Sequence, residues 1–351
     1  MLADMPRRPA ALPDSLGDTF SVGAARAAGV SDARLRCRDL ATPFSGVRCR
    51  RMPEPLDPDE SPTAREARSR RNRILVRARA YRSIMSDDAF FSHVTAALVW
   101  GIPVPLRVLR GAGVGAGRPD RPIDVAVLLP GRGPRMAGVR AHRLSPALVH
   151  TRVRDGLRVA SPATAWAQLG EVLTVDELIV AGDAIVREPR LPRGMRGEPG
   201  SGLATMTQLR ASADAGRRIG VARLREALSQ IRVGSASPPE TDLRLAMLRA
   251  GLPAPALDVD VLGEHGELIG FTELGYPRWM ILIEFEGDHH QTSRAQWDRD
   301  IEKHAQCVAL GWTVLRYTAR HGYPTPGPAI TGIREALMRA GWRPGLELST
   351  G

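Results

Sequence analysis

IGFTELGYPRWMILIEFEGDHH, residues 269–290, decides the fold of the C-terminal third of the chain. Leu268 to Leu274 alternates as a strand, Tyr276-Pro277 turns the chain, and Met280 to Gly287 returns as a second strand. Period-two alternation in the returning strand sets Ile281, Ile283 and Phe285 on one face and Leu282, Glu284 and Glu286 on the other. Two carboxylates on one face of a central strand repel each other and are costly to desolvate, and a divalent cation is the usual compensation. Glu273, near the end of the preceding strand, can approach them across the short turn. Glu273, Glu284 and Glu286 are therefore the expected metal ligands. An all-oxygen set suits Mg2+ or Mn2+, which polarise a phosphodiester and activate water. His289 and His290 follow at once, placed either to move a proton during phosphodiester hydrolysis or to support the metal.

Working outward, SPPETDLRLAMLRAGLPAP at 237–255 predicts a helix over Glu240 to Ala250, opened by a capping box between Ser237 and Glu240. A strand over Leu257 to Leu262 and a turn at 263–267 complete a meander. Downstream, QWDRDIEKHAQCVALGWTVLR at 296–316 predicts a helix packed through Trp297, Ile301, His304 and Val308, then a strand. A last helix covers Ile330 to Ala340. Arg299 and Lys303, four apart, lie on one side of the first of these helices. Lys303 is the only lysine in the chain. It is either the cation beside an attacking water or a solvated residue paired with Asp300 or Glu302.

The N-terminal 60 residues carry helix-turn-helix spacing in FSVGAARAAGVSDARLRCRDLATPFSGVR, residues 20–48. Ala25, Gly29 and Leu35 give close approach, a turn and a lock, Arg34, Arg36 and Arg38 decorate the second helix, and Pro43 with Gly46 suits a small wing. Residues 52–62 are a linker by composition. Residues 61–188 form an α+β middle region. It holds a basic helix from Thr63 to Met85, read as a solvated face, and a helix capped by Ser92 within FSHVTAALVWGIPVP, residues 91–105. Strands follow at 123–129, 138–143 and 157–160, then helices from Pro162 and from Thr174. His93, His142 and His150 fall on different elements and carry no chemistry. Residues 189–234 are a second linker with two helices, and 235–345 the C-terminal domain.

With 351 residues, 43% hydrophobic and 25% charged, the chain is long enough for two or three globular domains. No apolar run approaches the length of a spanning helix, and the N-terminus lacks an apolar signal core. The expected class is a cytoplasmic protein with no membrane partner, and three cysteines without metal spacing agree with reduced thiols. A net charge of +11, from 49 bases against 38 acids, points to nucleic acid as the partner.

The three quoted C-terminal runs together resemble a family related to the very-short-patch-repair (Vsr) endonucleases of the PD-(D/E)XK superfamily, across Ser237 to Trp342. The runs at 20–48 and 91–105 resemble chains with a winged helix like that of abortive-infection (AbiEi-type) antitoxins. The resemblance implies an α+β multidomain protein with an N-terminal winged helix-turn-helix and a C-terminal restriction-endonuclease-like α/β domain. It makes Glu240 the acid of the first helix, Glu273 that of the second strand, and Glu284 with Glu286 the E-x-(D/E) pair. Glu273 stands where aspartate is usual and Glu286 where E-x-K has lysine, so a cation must come from Lys303, Arg299, His289 or His290. The implied activity is a Mg2+-dependent DNA endonuclease guided by its N-terminal domain. The alternative is a non-catalytic DNA-binding regulator of type IV antitoxin kind, with a toxin partner and homo-oligomeric state open.

Overall fold

The computed structural model describes residues 9–55, 57–58, 60–111, 120–191, 194–235, 237–286, 294–318 and 326–345, without the side chains of Glu286 and residues 294–300. The chain is an α+β multidomain protein, with three sheets among the described residues. It divides into two compact units, residues 1–57 with 61–168 and residues 58–60 with 169–351. No helix among the described residues is long and apolar enough to cross a membrane.

The first unit opens with β1 (Thr19–Ser21), α1 (Val22–Ala27), α2 (Asp32–Leu35), β2 (Leu40–Ala41) and β3 (Val47–Arg50). Ser21 Oγ accepts from Ala24 N and Ser31 Oγ from Arg34 N, so each short helix has a side-chain cap. β3 runs antiparallel between β1 and β2, over a core of Leu12, Phe20, Ala25, Leu35 and Leu40. The second helix is shorter than its arginine spacing suggests. It stops at Leu35, so Arg36 is its C-cap and Arg38 lies in the following turn.

After α3 (Pro62–Arg82), a five-stranded sheet forms from β4 (Phe90–Phe91), β5 (Ile123–Leu128), β6 (Val139–Leu144), β7 (Thr151–Arg154) and β8 (Leu157–Ala160), in the order β6-β5-β4-β8-β7. α4 (His93–Trp100), α5 (Leu106–Leu109) and α6 (Pro162–Leu169) accompany it, with Trp166 fully buried. Three expectations are corrected here. The basic helix α3 is not simply solvated, because buried Arg70 bonds Glu66 at 2.8 Å and Asp120 at 3.0 Å. Ser92 does not cap α4 with its side chain; its Oγ meets His93 Nδ1 at 3.0 Å. Two of the three middle-region histidines, though on different elements as expected, come together: His93 and His142 stack with centroids 3.8 Å apart, and His142 Nε2 lies 2.9 Å from the buried Asp124 carboxylate.

The second unit begins with α7 (Val175–Val186), α8 (Met206–Asp214) and α9 (Val221–Gln230). The order is then α10 (Pro238–Arg249), β9 (Ala256–Leu262), β10 (Leu268–Tyr276), β11 (Ile281–Glu286), α11 (Arg294–Ala309), β12 (Thr313–Thr318) and α12 (Gly327–Arg339). The sheet order is β12-β11-β10-β9. β9, β10 and β11 form the expected antiparallel meander, while β11 and β12 run parallel. Each sheet face buries its own core. Leu243, Met247, Leu274, Tyr276, Ile281, Ile283 and Leu337 join α10 and α12 to one face. Val259, Val261, Leu282 and Cys307 join α11 to the other.

Candidate active site

β10 and β11 are paired from Tyr276↔Ile281 to Leu274↔Ile283. The next residues along the two strands are Glu273 and Glu284, so the carboxylates stand one residue beyond the last paired positions. Thr272 Oγ1 braces this point by donating to the Ile283 carbonyl at 2.9 Å. α10 brings the third acid, Glu240, which is only 4% exposed. The expected capping box is absent: Ser237 makes no side-chain cap, and its hydroxyl donates instead to Glu240 Oε1 at 2.7 Å. The helix also starts earlier, at Pro238, where proline fits because a first-turn N–H has no helical partner.

Glu273 is the most perturbed of the three. Burial, then the neighbouring Glu240 and Glu284, push its carboxyl up to about 7, against the opposing pull of Lys303. Its Oε2 is buried and has no hydrogen-bond partner. A buried unsatisfied oxygen is costly unless a water or an ion meets it.

Glu284 meets two cations. Lys303 Nζ lies 2.6 Å from its Oε1 and donates a second bond, 2.7 Å long, to the Phe271 carbonyl. Arg316 Nε stands 3.7 Å from Glu284 Oε2. Lys303 is thus paired across the sheet face, which corrects its alternative reading as a solvated helix residue. Its stem runs over Gly270, where an added Cβ would sit 3.0 Å from the Lys303 Cδ, so glycine there leaves the passage open.

This inward turn also corrects the packing stripe of α11. Ile301 and Val308 are 54% and 52% exposed, whereas Cys307 is buried and Lys303, four residues before it, points the same way. Arg316 escapes a reading of the sequence. The signal is the parallel register Glu284↔Arg316, which no single strand reveals.

The remaining expectations divide. Glu286 pairs with Thr318 through the strand register, but its side chain and that of Arg299 lie outside those described. His289 and His290 lie outside the described residues. Among the described residues no group of three or more His, Cys, Asp or Glu is arranged to hold a metal ion. In the first unit, Arg34 is turned inward, bonding Asp39 at 2.6 and 2.9 Å, while Arg36 and Arg38 are exposed.

No family model and no solved structure matches the chain. It is 26% identical over 209 residues to two proteins of Mycobacterium tuberculosis, from strains CDC 1551 / Oshkosh and ATCC 25618 / H37Rv, each described as uncharacterized. The match covers 58% of this chain and 72% of each relative.

Proposed function

We propose that residues 235–345 form a Vsr-like, PD-(D/E)XK-type domain that hydrolyses DNA phosphodiester bonds with Mg2+ or Mn2+, and that residues 1–60 act as a winged helix-turn-helix on duplex DNA. One observation carries the reading: Glu240, Glu273 and Glu284 gather where two strands part, and the only lysine of the chain is directed to the same point. An arginine-dominated surface would satisfy solubility anywhere, but a compact ammonium held on a carboxylate and a carbonyl has defined chemistry.

The residues present suit a hard cation. The unpartnered Glu273 Oε2 and the Glu284 carboxylate offer oxygen ligands, and Mg2+ is commonly held by one or two carboxylates with water in its other positions. When bound, such an ion polarises the phosphodiester and lowers the pKa of water. Lys303, fixed by two hydrogen bonds, supplies positive charge that needs no reorganisation as charge builds on the phosphate. Glu240, held by Ser237, stabilises the protonated form of Glu273, and ionisation of Glu273 is the proton release expected when the cation binds.

The test is cleavage of supercoiled plasmid by the full chain with Mg2+, Mn2+ or EDTA, for the wild type, Glu273→Gln and Glu284→Gln. Metal-dependent nicking that both variants lose, roughly 100-fold or more, is the expected result. Wild-type cleavage in either variant, or none by the wild type with either metal, overturns the nuclease reading. The Lys303–Glu284 ion pair, which already neutralises one ligand, favours as second reading the non-catalytic antitoxin-type regulator. Duplex binding without cleavage selects it.

A further inference from the structure

Within the first unit, an open cleft of about 850 Å³ lies between the loop after β5 and the edge strand β6. Three of its seven lining residues are Arg132, Arg135 and Arg143; the others are proline, glycine and alanine. We propose that this cleft seats the phosphodiester backbone of duplex DNA. The inference deepens the function proposed above, whose DNA it would hold, and concerns binding alone.

The cleft gathers three arginines without an acid partner at one place. Arg26, Arg34, Arg70, Arg73, Arg110 and Arg121 each face a carboxylate, whereas Arg36, Arg38, Arg79, Arg82 and Arg152, like the cleft arginines, make no ion pair among the described residues. What sets Arg132, Arg135 and Arg143 apart is that they line one concavity together, so their charge is left for an outside anion. A concave site lined by one sign of charge concentrates counter-ions.

The loop backbone is also restrained against the sheet edge, and it fixes Arg143. Gly131 N donates to the Leu128 carbonyl at 2.8 Å, and Arg143 Nε donates to the Gly131 carbonyl at 3.1 Å. A Cβ on Gly131 would fall 2.8 Å from the Leu128 carbonyl oxygen, and one on Gly133 would fall 3.1 Å from the Ala141 Cβ. The backbone therefore lies flat on the sheet edge, and Pro130 and Pro134 restrict it further. The Arg143 guanidinium, tied to that backbone, loses less entropy on binding than a free surface side chain does, while Arg132 and Arg135 extend into solvent from a restrained backbone.

The lining decides what is read. It has no aromatic ring on which an unpaired base could stack, the usual platform of single-strand binders. It has no acid or amide to address cytosine or adenine. Its arginines can meet phosphate, or guanine at most, so the cleft positions a duplex with little reading of its sequence.

The full chain is titrated with a short duplex of arbitrary sequence in EDTA over a range of NaCl concentrations, followed by fluorescence anisotropy. Arg132 and Arg135 are not buried, so the double variant Arg132→Ala/Arg135→Ala is expected to fold, and circular dichroism checks this. It should bind about tenfold more weakly, with a salt dependence shallower by about two units of slope, close to one for each phosphate that is no longer neutralised. Unchanged affinity and slope, or a wild type that prefers the single strand, overturns the proposal. Cleavage by the wild type with unchanged binding in the double variant removes this cleft and leaves the nuclease standing. A shallower slope for the variant of a chain that never cleaves does the reverse. No duplex binding at all removes the cleft and leaves the nuclease to the cleavage test.

Discussion

The Lys303 ammonium bonds Glu284 Oε1 at 2.6 Å and the Phe271 carbonyl at 2.7 Å, along a stem that passes close over Gly270, where a side chain would crowd it. A guanidinium keeps the charge but is planar and wider, and it cannot exchange its proton. Lys303→Met is therefore expected to slow single-turnover cleavage by roughly 100-fold or more, the cost of deleting one preorganised electrostatic donor. Lys303→Arg should slow it by only about tenfold, keeping charge in a poorer position. Equal rates for wild type and Lys303→Met would reduce the residue to a counter-ion for Glu284.

At the scale of elements, one buried group ties α7 to the head of the sheet domain. Asp183, 1% exposed, accepts bonds from Arg232 N at 2.8 Å, the Thr241 hydroxyl at 2.9 Å and Arg244 Nη2 at 2.8 Å. Thr241 and Arg244 lie on α10, next to Glu240 and one turn beyond it. Asp183→Ala leaves the Arg244 charge buried and unpaired, and should cost about 3–5 kcal/mol in denaturant unfolding, with Asp183→Asn costing less. A loss below about 1 kcal/mol in the alanine variant would show that α10 is held by its apolar face alone.

The same elements show what the sequence makes legible. β9, β10 and β11 can be read because period-two alternation is a property of each strand by itself. β4 escapes because Phe90–Phe91 is two residues long, too short to alternate. The stripe of α11 is misread because hydrophobic spacing favours Ile301 and Val308, while the inward side holds an ion pair with Glu284 that no periodicity encodes. Glu273 and Glu284 are legible as acids on neighbouring strands. Arg316 and the His93–His142 stack are not, since each depends on a register between segments far apart in sequence.

Across the whole molecule, the two units should respond to pH with opposite sign. In the first, burial, then the neighbouring His142, hold His93 down to about 3 from 6.5, and Asp124 titrates below its ordinary value. As pH falls from about 6.5 towards 3, the unfolded chain takes up a proton that folded His93 refuses, so stability is lost on acidification, on the order of 4 kcal/mol. In the second, Glu273 keeps its proton up to about 7 where an unfolded glutamate releases it at 4.5. Stability there falls as pH rises through that window, by about 3 kcal/mol. Hydrogen exchange corrected for intrinsic rates should show β5 and β6 loosening towards pH 4 and β10 loosening towards pH 8. Glu273→Gln should abolish the second effect and leave the first. The same sign in both units, or an unchanged β10 in Glu273→Gln, would refute this account.

The parallel pairing of β11 with β12 sets the order in which the second unit can assemble. β10 and β11 meet across a turn of a few residues, so that hairpin can close on its own timescale of microseconds. β12 must wait for the chain between Ile281 and Thr313 to return along the sheet, and that return is α11. Contacts so distant in sequence form late, because the loop must be closed before they reward it. A nascent chain that has not yet delivered Lys303 already holds Glu240, Glu273 and Glu284. The acids thus emerge hydrated and mutually repelling, and Glu284 meets its counter-charge only when the crossover helix arrives.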